Sequence, residues 1–208
     1  MKYEWKKEEK EIYSPGKTPS LVQIPSAKYF SIKGKGDPNG DDFAKRVSVL
    51  YSLAYAVRMM PKKGFTPEGY FEYTVYPLEG VWDLSEEGKK SNKLDKDQFI
   101  YKISIKQPSF ITQDVVNRAF EIARKKEDAE LLSQAFYEEV EDGLSVQMLH
   151  IGSYDNEPAS FSLMKDYINN HNLEIREQAH KEIYLSDARK TETEKLQTIL
   201  RYKVQRKN

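Results

Sequence analysis

Cysteine is absent from the 208-residue chain, which removes disulfides, thiolate catalysis and cysteine-ligated zinc from consideration. A surplus of either charge is absent too, because 33 Lys and Arg balance 33 Asp and Glu. A dedicated nucleic-acid binder carries excess cations to neutralise phosphates, so the balance argues against nucleic acid as a partner. No run approaches the roughly 20 apolar residues of a membrane span, and the N-terminal MKYEWKKEEKEIY lacks the apolar centre of a secretion signal. The expectation is a cytoplasmic protein with no membrane partner. Histidine is scarce, with only His150, His171 and His180, and their spacing makes no compact zinc motif such as HExxH. GxSxG, P-loop and GxGxxG fingerprints are missing as well. GKGDPNG is a turn and not a phosphate cradle, so neither metal nor cofactor is expected.

Tyrosine is plentiful, at 14 residues. A phenol offers a broad apolar face with a hydroxyl at its edge, which suits core margins and amphipathic cavities alike. Along the chain, residues 1–27 are charged and then proline-rich, and read as an N-terminal arm. KYFSIKGKG (28–36) reads as a strand ending at glycines. Residues 43–60 place apolar side chains at 43, 47, 50, 54 and 57, the spacing of a helix. YFEYTVYPLEGVW (70–82) and FIYKISIKQP (99–108) read as strands. The second half repeats that order. A strand in 143–155 is followed by a helix over 157–170, and strands follow over 179–187 and 196–204. The two copies, 28–108 and 143–205, are joined by a helix (112–126) and by the strand SQAFYEEVEDG, which can form a hairpin with the start of the second copy. The expected fold is therefore α+β: a single domain over 28–208, with two pseudo-symmetric strand-helix-strand-strand repeats forming antiparallel sheet around a central ligand groove.

HKEIYLSD (180–187) places a carboxylate inside an apolar strand. Strand alternation puts Ile183 and Leu185 on one face, suited to the helix-covered core, and His180, Glu182, Tyr184 and Ser186 on the other. On that pattern alone Glu182 reads equally as a carboxylate on a wet face or in a surface salt bridge, since a buried one is costly unless paired. Tyr154 lies in the turn HIGSYD before the second helix, where corner packing would also explain it. Glu157 sits at that helix's start, where a carboxylate meets the helix dipole favourably. His150, on the strand entering the turn, can donate or accept a proton or simply be a satisfied structural residue. Trp82 can plug a core or wall an aromatic ligand. Tyr51 and Tyr55 are four apart and share one helical face, serving the core or a cleft edge, and Phe110 follows the KQP corner.

HIGSYDNEPASFSLMKDYI followed by HKEIYLSDARKTETEKLQTILRYKV closely resembles the GyrI-like small-molecule-binding domain family, and LYSLAYAVRM, YPLEGVWDL, KQPSFITQDV and GLSVQMLHIG resemble its stand-alone branch. The likeness spans about residues 20–205. It implies two strand-helix-strand-strand repeats around a groove holding a buried Glu and aromatics. About 40 residues precede the first long helix, too few for the DNA-binding helix-turn-helix that this domain follows in drug-sensing regulators. Stand-alone members that resemble this chain are described as hydrolases that open the cyclopropane of DNA-alkylating natural products with water. The resemblance thus implies Glu182 as catalytic base with Glu157 second, Tyr154 or Tyr184 as hydrogen-bond donor to the dienone oxygen, and His150, Trp82, Tyr51, Tyr55 and Phe110 as the ligand surround. The ligand expected is a hydrophobic aromatic small molecule. The alternative is a non-catalytic binder of aromatic or cationic drugs, or a modulator of a partner protein.

Overall fold

The computed structural model describes residues 2–91, 93 and 95–207. Along the chain run α1 (Trp5–Glu8), α2 (Lys10–Tyr13), β1 (Ser20–Ile24), β2 (Ala27–Lys35), α3 (Asp41–Met59), β3 (Leu78–Leu84), α4 (Glu86–Lys90) and β4 (Phe99–Gln107). There follow α5 (Gln113–Ala123), α6 (Ala129–Ser133), β5 (Phe136–Val140), β6 (Gly143–Ile151), α7 (Glu157–Asn170), β7 (Leu173–Ile175), β8 (His180–Tyr184) and β9 (Gln197–Arg206). The fold is α+β with antiparallel strand pairing, and it divides into two compact units.

The first unit holds Ala27–Leu78 and Trp82–Val140. Its strands lie in the order β3-β4-β2-β5. Asp41 and Asp42 open α3, where carboxylates favour the helix dipole. The apolar spacing of α3 buries Leu50, Leu53 and Val57 as the helix packs on β2, β4 and α5. On the face of β2 and β4 that carries Phe30, Ile32, Ile103 and Ile105, all four side chains are fully buried. Thr112 caps α5 by accepting from the Val115 amide, which satisfies one of the helix's free donors.

The second unit holds Trp5–Ser26, Glu79–Val81 and the chain from Glu141 onward. Its strands lie in the order β1-β6-β9-β8, with β7 pairing the end of β9. The strand-helix-strand-strand order thus occurs twice, as β2-α3-β3-β4 and as β6-α7-β8-β9, with the fourth strand central in each. Helix α7 lies on the β6–β9 face carrying Val146, Met148, Leu200, Tyr202 and Val204, and buries Met164 and Ile168 there.

Four expectations are corrected. The strand over 70–82 begins only at Leu78. Tyr70, Phe71 and Tyr73 instead pack their rings around Phe110, at 5.2, 5.4 and 6.0 Å, so aromatic packing overrides strand propensity there. β5 pairs with β2 and not with β6; β6 is flanked by β1 and β9. The N-terminal residues are no loose arm, because β1 pairs with β6 along its length. Finally, the helix covers the face of β8 that carries Glu182, not the face of Ile183: Glu182 lies opposite Leu200 of the α7-covered core, and Ile183 opposite Ile199 on the other side.

Candidate functional site

Five of the nine candidate residues meet in the second unit, where β6, α7 and β8 converge. Gly152 (φ 125°) turns the chain off β6 in a conformation that a side chain would strain. Ser153 then caps a short 3₁₀ turn, Tyr154–Asn156, by accepting from the Asp155 amide. Glu157 begins α7, and Pro158 occupies its first turn, where a missing N–H leaves no helix bond unmade. His150 braces this corner. Its Nε2 lies 3.0 Å from the Ser153 carbonyl, which can only accept, so that nitrogen carries a hydrogen, and Nδ1 is hydrogen-bonded to Ser160 Oγ at 2.9 Å.

β8 brings up the other half. Its period of two places His180, Glu182 and Tyr184 side by side. His180 Nε2 donates to Glu182 Oε1 at 2.8 Å, and the Tyr184 hydroxyl donates to Oε2 at 2.7 Å. Glu182 and Glu157 are both buried, at 9% and 6% exposure. Burial, the neighbouring Glu182 charge and a hydrogen bond to Glu182 push the Glu157 pKa from 4.5 up to about 9. At neutral pH Glu157 therefore carries a proton. Two like carboxylates in one buried site ionise singly for the same reason. Glu157 Oε1 is buried with no hydrogen-bond partner, an acceptor left open beside the pair.

Tyr154 meets Tyr184 edge-on, with ring centroids 6.1 Å apart. It is 39% exposed, and its pKa is raised by partial burial and by the charges of Glu182, Glu157 and Asp187. Phe161 of α7 closes the far side, its ring 4.6 Å from His180 and 5.4 Å from Tyr202. The result is a protonated Glu157 carboxyl group near Glu182, flanked by two phenols and an imidazole. That set can take up one proton while giving another. Among the described residues no group of three or more His, Asp or Glu side chains is arranged to hold a metal ion.

The other four candidates lie in the first unit. Trp82, 5% exposed, packs against Tyr101, Phe99 and Phe43 at 5.1, 5.6 and 5.8 Å. Phe110 centres the ring cluster described above. Tyr51 and Tyr55 stand 6.3 Å apart on α3, and Tyr55 is 53% exposed. The bond from His180 to Glu182 was not anticipated, although strand alternation had put the two on one face. Phe161 and Ser160 were missed altogether, because nothing in the pattern of α7 separates residues that contact His180 and His150 from those in the general core.

The family model of the GyrI-like small molecule binding domain matches residues 17–204, and the chain belongs to that family. A crystal structure of an uncharacterized conserved protein from Listeria innocua is 37% identical, covers 98% of this chain and 100% of its own, and superposes with a TM-score of 0.90. A hydrolase encoded by lin2189 of Listeria innocua is 36% identical over 99% of this chain and 100% of its own, with a TM-score of 0.88. The EcmrR C-terminal domain, at 12% identity over 91% of this chain and 98% of its own, shares the fold, with a TM-score of 0.52. No curated protein matches. Among the described residues no helix is long and apolar enough to cross a membrane.

Proposed function

We propose that this small-molecule-binding protein is a hydrolase that adds water to flat, electrophilic aromatic compounds, namely the cyclopropanoid DNA alkylators, and so detoxifies them. The observation that carries the reading is the pair of buried carboxyl groups, Glu157 with its pKa raised to about 9 by burial and by Glu182, and Glu182 accepting from His180 and Tyr184, near the phenol of Tyr154. A site that only attracted a cation would need one carboxylate in an aromatic box; a second carboxyl group that holds a proton adds the acid that hydration requires. The description of a 36%-identical relative as a hydrolase supports the same choice.

A water oxygen attacks the cyclopropane CH₂, and the water's proton passes to Glu182. The carbon–carbon bond of the strained ring breaks, and its electron pair runs through the dienone to the carbonyl oxygen. Tyr154 donates a hydrogen bond to that developing oxyanion, and Glu157 supplies the proton that makes it a phenol. Glu182 then returns its proton to Glu157 along their shared hydrogen bond. One water is added and the protein is restored.

The test is incubation of purified protein with a cyclopropanoid alkylator and detection of the ring-opened hydrate by mass spectrometry. Wild type accumulates hydrate above the buffer rate, and Glu182→Gln reduces the rate by roughly 10²–10⁴-fold, the usual worth of a general base. Binding without hydrate in wild type would leave the sequestering role instead. Full turnover by Glu182→Gln would remove Glu182 from the mechanism.

A further inference from the structure

The proton in the pair has two carboxyl groups to choose from, and something must decide between them. Burial does not, because Glu157 and Glu182 are nearly equally buried. The difference lies in donors. Glu182 accepts from His180 and Tyr184 on its own strand, whereas one oxygen of Glu157 has no partner at all. Hydrogen bonds to the charged form favour that form. Tyr184 is a phenol, which donates from a single rotatable hydroxyl. His180 is different: its ring is held by Phe161 of α7 at 4.6 Å and Tyr202 of β9 at 6.2 Å, so its Nε2 direction is set by packing.

We propose that His180 is a positioning residue of this site: donating through Nε2 to Glu182 Oε1, with its ring clamped by Phe161 and Tyr202, it makes Glu182 the ionised member of the pair and leaves the proton on Glu157. A carboxylate can only accept, so Nε2 bears a hydrogen whether the ring is neutral or cationic. The ionisable groups that share its surroundings are Glu182 and Tyr184 on β8, Glu157 on α7, Tyr202 on β9, and Tyr154 and Asp187 in the adjoining turns. The kinetic consequence rests on the hydrolase reading: without this donor Glu182 is protonated over more of the working pH range, and the acid limb of hydrate formation moves to higher pH.

The deciding experiment needs no substrate, so it fails or succeeds independently of the hydrolase reading. Carboxyl carbons of ¹³C-labelled glutamate are followed by NMR against pH in wild type, His180→Gln and His180→Leu, with Glu157→Gln and Glu182→Gln for assignment. Gln places an amide nitrogen near the position of Nε2 and keeps the donor; Leu removes it. In His180→Leu the lower titration step of the pair rises by roughly 1–2 pH units, the worth of one charge-assisted hydrogen bond, and His180→Gln stays within a few tenths of a unit of wild type. Equal titrations in all three proteins would overturn the proposal. Imidazole ¹⁵N shifts of wild type give a second reading that tolerates an unfolded variant. Hydrogen on Nε2 is expected, and a neutral ring with hydrogen on Nδ1 alone would overturn the proposal, since it could not donate to Oε1.

Discussion

Glu157 is the residue whose chemistry is most displaced from its ordinary state, and it makes the protein's stability depend on pH. Its pKa is raised in the folded chain, from 4.5 to about 9. The folded state therefore binds the proton more tightly than the unfolded state, and this contribution is full below pH 4.5 and lost as pH climbs towards 9. Glu157→Gln carries no such proton. Its melting temperature should rise relative to wild type as pH goes from about 5 to 9, measured by thermal denaturation at matched ionic strength. Parallel curves for the two proteins would contradict the protonated state of Glu157. Tyr154→Phe removes one donor to the developing oxyanion and should lower hydrate formation by roughly 10²–10³-fold with little change in ligand affinity. A loss of affinity with unchanged turnover would make Tyr154 a wall and not a donor.

Strand β8 is where the reading from sequence succeeded and failed at once. Alternation alone grouped His180, Glu182 and Tyr184, because period two is a property of the backbone. It could not tell which face α7 would cover, because the polar face was taken for the open one. The other face of the same strands has its own charges. Asp142, Lys181, Arg201 and Glu79 are all buried, with Lys181 Nζ 2.5 Å from Asp142 Oδ2 and 3.3 Å from Glu79 Oε2. Arg201 bonds Gln147 Oε1 at 2.8 Å and the Ile12 carbonyl at 3.3 Å, and Gln147 holds the Glu11 carbonyl at 2.7 Å. These bonds tie the α1–α2 segment to β6 and β9, an anchorage that the charged, proline-rich residues 1–27 did not disclose. Burial alone would raise the Asp142 pKa, but Lys181 and Arg201 hold it below 3.8. Its contribution is therefore present above pH 3.8 and lost as pH falls through the lowered value. Asp142→Asn should cost about 3–5 kcal/mol at neutral pH, because it leaves buried cations uncompensated, and the gap to wild type should shrink as the pH falls below 3.8. In urea unfolding, a gap below about 1 kcal/mol at pH 7 would show the network to be dispensable. On β2, a Cβ at Gly34 would stand 2.4 Å from the Tyr101 ring, which packs on Trp82 at 5.1 Å. Gly34→Ala should therefore cost about 1–3 kcal/mol by overpacking and shift the fluorescence of Trp82. An unchanged spectrum and stability would show that Tyr101 yields freely.

Across the chain, the repeated strand-helix-strand-strand order was legible because each copy carries its own periodicity and turn residues, from SIKGKGDPNGDDF to LHIGSYDNEPASF. Pairing was less so. Adjacency in sequence suggested a β5–β6 hairpin, but β5 completes the edge of β2 in one unit while β6 is taken up by β1 and β9 in the other. The acid pair itself was half legible: both glutamates were picked out, but the raised pKa of Glu157 and the two donors to Glu182 arise from neighbours that only the fold assembles. Placing both carboxyl groups, two phenols and His180 within one unit gives the proposed hydration a base, an acid and an oxyanion donor on one rigid face. The central claim is that water is added directly, through Glu182 as base. A single turnover with protein in excess over a cyclopropanoid alkylator, run in H₂¹⁸O, tests it most directly. Direct addition puts one ¹⁸O in the ring-opened product and none in the protein; an ¹⁶O product with ¹⁸O in the Glu182 carboxyl group, or no product at all, would contradict it.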